Sequence, residues 1–363
     1  MKKRIMIIHP EGNINNNPNL TGIVEILTEN DFFIDIYSPQ RNDKYQFPPC
    51  NNVRLILQKP KCKSLILTTL SKYLTNYDLI IGVDQGIIEA AKIARIFKIP
   101  YGLISYEISF SDEIGGENKK NEIEACKDIS FAVCQDVIRG GHLSKENKIP
   151  KGRLIYIPVA GRGVVRGEKR YDLYEKLGIA KDKKILLSMG SIGPWTQVEE
   201  VLDDIDNLPE EWVLVIHGRY GINEKFIHRH KDKPKVFFSR YPIENLKNIG
   251  PLLHSADMGL AMYKPTYTGP YTGDNLKYIG MSSGKISMCL QYGLPIIIND
   301  IKPMADFVEK YQLGHVIHNN NYFNCLNGAT LTDRNREKCY GFFEKYLDLN
   351  KNIRPLLHKI NEL

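Results

Sequence analysis

The sequence predicts an α/β protein built from two doubly wound domains in succession. Short runs rich in Val, Ile and Leu alternate with amphipathic helical patterns along almost all of the 363 residues, which is typical of βαβ units with parallel sheets. A chain of this length accommodates two domains of ordinary size. Residues 158–167 contain three glycines and one proline and interrupt any regular period, so we place the domain boundary there.

Several of the predicted strands carry apolar residues on both faces, as a sheet covered by helices requires. In the first domain the strands lie near Arg4–Ile8, Phe33–Tyr37, Val53–Ile56, Leu79–Val83, Tyr101–Ser105, Phe131–Cys134 and Leu154–Ile157. In the second domain they lie near Lys184–Ser188, Trp212–Ile216, Val236–Phe238, Met258–Met262, Pro295–Ile298 and His315–Ile317. We expect the domains to span residues 1–163 and 164–335. Residues 336–363 are helical in pattern, with a break near residues 350–352, and we expect them to dock back on the first domain.

Composition and charge narrow the class of protein. Lys and Arg outnumber Asp and Glu by 49 to 42, a net charge of +7, which favours an anionic partner such as a phosphorylated ligand. The sequence has no stripe of basic residues with interleaved aromatic residues, so nucleic-acid binding is not expected. The seven cysteines are widely spread and form no Cys-x-x-Cys pair. This favours reduced thiols in a cytoplasm over disulfides or a zinc site.

Insertion into a membrane is not expected. The first apolar run covers only Ile5–Ile8, which is too short for a signal peptide, and no run approaches the roughly 18 apolar residues of a spanning helix. Peripheral contact with anionic lipids is one interpretation of the basic stretch Lys59–Lys63 beside the helical pattern of Ser64–Leu74. A solvated lysine cluster is the alternative. We therefore expect a cytoplasmic protein that contacts, at most, the inner face of the cell membrane.

A glycine-rich loop follows the first strand of the second domain. Gly190 and Gly193 allow the backbone to approach a ligand at the carboxyl end of that strand, where open α/β sheets bind their substrates. The next helix is predicted to begin at Thr196, with Thr196 and Glu199 as a capping box. Its predicted buried stripe consists of Val198, Val201, Leu202 and Ile205.

A second loop has the features of an anion site. Ser283, Gly284 and Lys285 open a predicted helix, so that backbone amides and a mobile positive charge lie together at its N-terminus. An ordinary serine-capped helix is the alternative. A Walker P-loop is excluded by spacing, because three residues separate Gly280 from Gly284 where four are needed.

Two further runs of polar residues are interpreted as solvated surface rather than as sites. Asp203, Asp204 and Asp206 fall on the polar side of the predicted helix, which indicates a solvated helix face rather than a metal site. The tract His228–His230 has no neighbouring cluster of carboxylates or cysteines, so we interpret it as a surface run.

The second half of the sequence resembles the nucleotide-sugar domain of GT-B glycosyltransferases of the bacterial polysaccharide type. The most specific segment is Ser283–Ile297, where a Ser-Gly-Lys helix is followed by Gly-Leu-Pro and a strand. The likeness covers about residues 184–320, and the first half is similar more loosely. It implies two Rossmann-like domains facing a cleft, the first for the acceptor and the second for the donor. The other segments that carry it are Ser188–Gly193, His217–Arg219, Phe238–Tyr241, Ala256–Leu260, Ala305–Val308, Ile7–Gly12 and Tyr106–Ile108.

The resemblance implies a nucleoside-diphosphate sugar as donor substrate, with a UDP-sugar favoured, and no further cofactor. The donor diphosphate would be held by Lys285 and the amides of Ser283 and Gly284, with Gly190 and Ser191 opposite. The remaining implied donor-site residues are Gly193 in the same loop, Arg219 as a further positive charge, Arg240 and Tyr241 at the nucleotide base, and Tyr263 in the donor pocket.

The implied chemistry is transfer of a sugar without a metal ion. Backbone amides, a helix dipole and a lysine can stabilise the negative charge that grows on the departing nucleoside diphosphate. One departure concerns the two glutamates of the retaining branch of the family: Gly280 and Met288 occupy those positions. The sequence therefore does not assign retention or inversion.

An inverting transfer needs a general base on the acceptor side. Asp84 at the end of the strand Leu79–Val83 is one candidate, and Glu107 after Tyr101–Ser105 is its rival. Helix or turn capping, or an internal salt bridge, is the alternative role for each carboxylate.

The sequence thus predicts a glycosyltransferase that acts on a glycan or lipid-linked acceptor in surface polysaccharide synthesis. Two alternatives remain open: an isomerase similar to the nucleotide-sugar 2-epimerases, and a non-catalytic subunit that binds a nucleotide sugar. The missing glutamates favour the latter of these two.

Overall fold

The computed structural model describes residues 3–10, 17–39, 52–58, 77–218, 221–240, 248–319, 321–329 and 332–363. The chain divides into two compact units. The first comprises Met1–Arg162, Gly269–Tyr271 and Leu349–Leu363, and the second comprises Gly163–Thr268 and Thr272–Asp348. In the described part of the chain, no helix combines the length and the apolar character that crossing a membrane requires. The basic stretch Lys59–Lys63 and the pattern Ser64–Leu74 lie outside the described residues.

The first unit contains a sheet of seven parallel strands in the order β3-β2-β1-β4-β5-β6-β7. The strand order reverses between β1 and β4, which makes the carboxyl ends of these two strands the switch point of the sheet. The strands are β1 (Arg4–Ile8), β2 (Phe33–Pro39), β3 (Val53–Gln58), β4 (Leu79–Val83), β5 (Tyr101–Ile104), β6 (Phe131–Cys134) and β7 (Leu154–Tyr156). The helices are Pro18–Glu29, Gly86–Phe97, Gly116–Ala125, Val137–Asn147, Leu349–Asn352 and Arg354–Glu362.

The core of the first unit follows from its apolar sequence pattern. Every residue of β4 is buried, because helices cover both faces of a doubly wound sheet. The last helices of the chain belong to this core, where Leu349 and Leu356 are fully buried among residues of the first unit. Gly22 permits the close approach, since a Cβ at this position would lie 2.5 Å from Cδ2 of Leu349.

The second unit contains a sheet of six parallel strands in the order β10-β9-β8-β11-β12-β13. Its strand order reverses between β8 and β11, so its switch point lies at the carboxyl ends of these strands. The strands are β8 (Lys184–Gly190), β9 (Trp212–Gly218), β10 (Val236–Ser239), β11 (Met258–Ala261), β12 (Ile296–Asn299) and β13 (Gly314–Ile317). The helices are Asp172–Leu177, Val198–Asp203, Glu224–His230, Gly250–Ser255, Asp274–Lys277, Gly284–Gln291, Met304–Tyr311 and Asp333–Phe342, which continues as a π-helix over Phe343–Leu347.

The predicted α/β class is confirmed, and each predicted strand is present with bounds within two residues of the expected ones. The helix start at Thr196 was wrong. Pro194–Thr196 form a 3-10 turn that the Thr196 hydroxyl closes onto the Gly193 carbonyl at 2.7 Å. Gln197 then adopts a left-handed conformation with φ +51°, which delays the helix until Val198.

Two side-chain predictions around this helix also have clear outcomes. The capping role of Glu199 was wrong, because its carboxylate instead bonds Arg229 and His230, each at 2.8 Å. The interpretation of His228–His230 as a surface run was wrong for His230, which is buried. The predicted stripe of Val198, Val201, Leu202 and Ile205 is buried as expected.

Candidate functional site

The candidate site of the second unit lies at its switch point, between the loop after β8 and the helix Gly284–Gln291. Gly190 ends β8 with φ +108°, a conformation that glycine adopts without strain. A Cβ built on Gly190 would lie 3.9 Å from Cε of Lys285. The structure therefore brings together the two loops that the sequence singled out.

Lys285 provides the positive charge of this site. Burial lowers the pKa of its amine from 10.5 to about 8. The amine lies 4.5 Å from the centre of the Tyr263 ring, in the range of a cation–π contact. Among the described residues no carboxylate pairs with this amine and no hydrogen-bond acceptor contacts it. An amine that has no acceptor within the described part of the chain can donate hydrogen bonds to a bound anion.

Ser283 begins the helix that carries Lys285. Its backbone is extended and its hydroxyl accepts a hydrogen bond from the Ile286 amide at 3.3 Å, as an N-cap residue does. The hydroxyls of Ser283 and Tyr263 are also hydrogen-bonded to each other. The amides of Gly284 and Lys285 belong to the first turn, where helical N–H groups have no acceptor within the helix. Amides in such a first turn can bind an anion.

A cavity of about 990 Å³ opens beside the glycine-rich loop. Gly190, Ser191 and Gly193 line one side of it, and Trp195 and Lys264 contribute further surface. The Lys264 amine is paired with the Glu200 carboxylate at 2.8 Å. The cavity is large enough for a small-molecule ligand.

Of the two residues implied at the nucleotide base, Arg240 lies among the described residues. Arg240 is exposed and forms an ion pair with Glu224 at 2.7 Å. Arg219 and Tyr241 lie outside the described residues. His217, at the same edge of the sheet, is buried with its Nδ1 atom 3.1 Å from the Ser239 hydroxyl. Burial lowers its pKa to about 4, so His217 is neutral at physiological pH.

The first unit gathers polar side chains at the ends of β4, β5 and β6. Asp84 has φ +47°, and its Oδ1 atom accepts hydrogen bonds from the amides of Tyr106 at 2.6 Å and Glu107 at 2.9 Å. Asp84 therefore fixes the turn after β5. Arg139 is fully buried nearby. Burial lowers its pKa, and the negative charges of Glu107 and Asp136 oppose this effect.

Sequence reasoning missed one residue of the second unit. Asn299 ends β12, and its side chain bonds the backbone of Tyr263. A polar residue directly after the apolar run Ile296–Ile298 was the available signal. In the described part of the chain, no three His, Cys, Asp or Glu residues are grouped in a way that could hold a metal ion.

Solved structures of glycosyltransferases share this architecture. HepE of Anabaena, in complex with UDP-glucose, aligns over 99% of this chain and 100% of its own, with a TM-score of 0.74 and 12% identity. A glycosyltransferase of Rickettsia africae aligns over 99% and 98%, with a TM-score of 0.72 and 15% identity. WaaG, a glycosyltransferase involved in lipopolysaccharide biosynthesis, aligns over 98% of both chains, with a TM-score of 0.66 and 14% identity. The fold is thus that of the GT-B glycosyltransferases.

A family model matches one segment of the second unit. Residues 242–324 match the model described as the glucosyltransferase 3-like C-terminal domain. The matched segment contains Tyr263, the Ser283–Lys285 helix start and Asn299. A search of curated proteins finds no sequence relative of this chain.

Proposed function

We propose that this protein is a glycosyltransferase that takes a sugar from a nucleoside-diphosphate donor, with UDP as the favoured nucleotide. The observation that carries this proposal is that Lys285, in the first turn of the helix Gly284–Gln291, lies next to Gly190 and has no carboxylate partner among the described residues. The helix amides and the amine stabilise the negative charge that develops on the departing diphosphate. The GT-B fold and the glucosyltransferase-like match support the same activity.

The second unit is proposed to bind the donor, and the first unit the acceptor. Gly190, Ser191 and Gly193 face the donor from the loop after β8, and the adjoining cavity receives part of it. Arg219, Arg240 and Tyr241 are proposed to contact the nucleotide. We further propose a glycan or a lipid-linked sugar as acceptor, in the synthesis of a surface polysaccharide. The involvement of the structural neighbour WaaG in lipopolysaccharide biosynthesis favours this acceptor class.

Thermal unfolding with a panel of nucleotides tests the donor proposal. UDP, GDP, ADP, dTDP and CMP are each added to the folded protein, and the melting temperature is recorded. A ligand at 100 times its dissociation constant stabilises the folded state by about 2.7 kcal/mol, which gives a shift of several degrees. Selective stabilisation by one nucleoside diphosphate supports the proposal, whereas no shift with any of the five contradicts it.

Transfer is expected to proceed without a divalent metal ion. The charge of Lys285 and the helix amides replaces the Lewis acid that other sugar transferases use. Activity in excess EDTA should therefore equal activity in magnesium. Loss of turnover in EDTA that added magnesium restores would contradict this prediction.

Donor affinity is expected to fall as the pH rises through about 8. Because burial lowers the pKa of Lys285 to about 8, the free amine is charged at pH 7 and largely neutral at pH 9, and only the charged form attracts phosphate. The dissociation constant of UDP, measured by calorimetry, should increase about tenfold between these two pH values. The variant Lys285→Arg keeps its charge throughout this range, so its profile should be flat. An equally steep profile for this variant would assign the pH dependence to another group.

Glu107 is proposed as the base of an inverting transfer, and Asp84, whose Oδ1 atom accepts hydrogen bonds from two backbone amides, is proposed to hold the turn that carries it. Glu107→Gln should lower kcat about a hundredfold, a typical loss for a general base, and leave donor affinity unchanged. Asp84→Asn should instead lower the melting temperature, because an amide accepts these two hydrogen bonds more weakly than a carboxylate. Full turnover in Glu107→Gln would remove this residue from the mechanism.

A further inference from the structure

Asn299 extends the contact between β11 and β12 beyond the last paired residues. The ladder between these strands ends with Ala261 opposite Ile298. Past this point the Asn299 side chain forms hydrogen bonds to the Tyr263 backbone like those that a neighbouring strand would form. Its Oδ1 atom accepts a hydrogen bond from the Tyr263 amide at 2.9 Å, and its Nδ2 group donates one to the Tyr263 carbonyl at 2.6 Å. Two opposed hydrogen bonds from one rigid amide fix both the position and the direction of the Tyr263 backbone.

Tyr263 in turn contacts both Lys285 and Ser283, two of the residues that we propose for the diphosphate. Its ring lies beneath the Lys285 amine, and its hydroxyl bonds the helix-capping hydroxyl of Ser283. A ring holds a cation without neutralising it and without occupying its N–H donors. A carboxylate in the same place would hold the amine equally well but would compete with the phosphates. The aromatic ring therefore leaves the full charge of Lys285 to the ligand.

We propose that Asn299 is a positioning residue, which acts through Tyr263 to hold the Lys285 amine in place for the phosphates of the donor. This inference rests on the proposed function of the same site, and it adds a residue that touches neither the phosphates nor the nucleoside. We therefore expect Asn299 to affect the affinity for a nucleoside diphosphate but not the affinity for the bare nucleoside. Only the diphosphate carries the negative charge that the Lys285 amine attracts.

The test compares UDP and uridine as ligands of four proteins: wild type, Asn299→Ala, Tyr263→Leu and the double variant. Asn299→Ala should weaken UDP binding roughly tenfold, the effect expected when one charged contact to phosphate is lost, and leave uridine binding unchanged. The matched control is Asn207→Ala, because Asn207 is exposed and, among the described residues, its side chain bonds Asp204 alone. This control should bind both ligands as the wild type does.

The double variant shows whether Asn299 acts through Tyr263. If it does, adding Asn299→Ala to Tyr263→Leu causes no further loss of UDP affinity, because residues that act in one chain have non-additive effects. Additive losses overturn the inference, as does an equal weakening of UDP and uridine, which indicates a general loss of structure. Unchanged UDP affinity in a folded Asn299→Ala protein overturns it as well. Should this variant fail to fold, Asn299→Ser provides the same comparison.

UDP binding by the wild-type protein distinguishes a failure of the Asn299 inference from a failure of the proposed function. If the wild type binds UDP and Asn299→Ala binds it equally well, only the role of Asn299 is contradicted. If the wild type binds no nucleoside diphosphate, the proposed function is contradicted and the inference with it.

Discussion

Replacing Lys285 by alanine is expected to lower kcat/KM for the donor sugar roughly a thousandfold, the upper range for removing one preorganised group that stabilises a developing charge. Three features of the structure give this residue its large effect. Its amine has no carboxylate partner among the described residues, partial burial lowers the pKa of the amine, and the residue belongs to the first turn of a helix. Because it meets growing charge on the diphosphate, kcat should fall more than KM rises.

The Lys285→Ala experiment has matched controls in the same unit. Lys231→Ala removes an exposed lysine and should leave kcat/KM unchanged. Lys285→Arg keeps the charge but changes its shape, so intermediate activity is expected. The melting temperature of Lys285→Ala should not fall, because the variant removes a charge that burial disfavours. A loss of less than tenfold in a folded protein would contradict the proposed role.

The strands and the helix start at Ser283 could be predicted because their signals are local. Apolar runs such as Ile296–Ile298 are readable as buried strands, and Ser283 before Gly284 and Lys285 is readable as a helix start. Both outcomes follow from residues within one turn or one strand. The fold class and the strand bounds were therefore accessible from the sequence.

The errors and omissions involve residues that are distant in sequence. His230 is buried, and its imidazole pairs with Glu199 of another helix; no local pattern indicates such a pair. Asn299 and Tyr263 are likewise separated by 36 positions. The late start of the helix at Val198 has a different origin, the left-handed conformation of Gln197, which is uncommon outside glycine.

Arg139 shows how the fold of the first unit supports its candidate base. The side chain is fully buried, where an unpaired charge would be very costly. Its Nε atom donates to Gln135 at 2.8 Å, and its NH2 group donates to the Tyr106 carbonyl at 2.7 Å. The negative charges of Glu107 and Asp136 stabilise its guanidinium. Arg139 thus connects β6 to the turn that carries Glu107.

Arg139→Met is accordingly expected to destabilise the protein by about 3–5 kcal/mol, the usual cost of removing one partner from a buried charged network. The Tyr106 carbonyl and the side-chain carbonyl of Gln135 lose their donor, and the negative charges of Glu107 and Asp136 lose a stabilising cation. The melting temperature of the first unit should fall by roughly 10 °C. Arg95→Met is the control, because Arg95 forms partly exposed ion pairs with Glu124 and Asp128, which contribute about 1 kcal/mol or less. Equal shifts in both variants would show that the buried network adds nothing beyond a surface ion pair. A much larger shift for Arg139→Met would show that the stability of the first unit depends on the buried guanidinium.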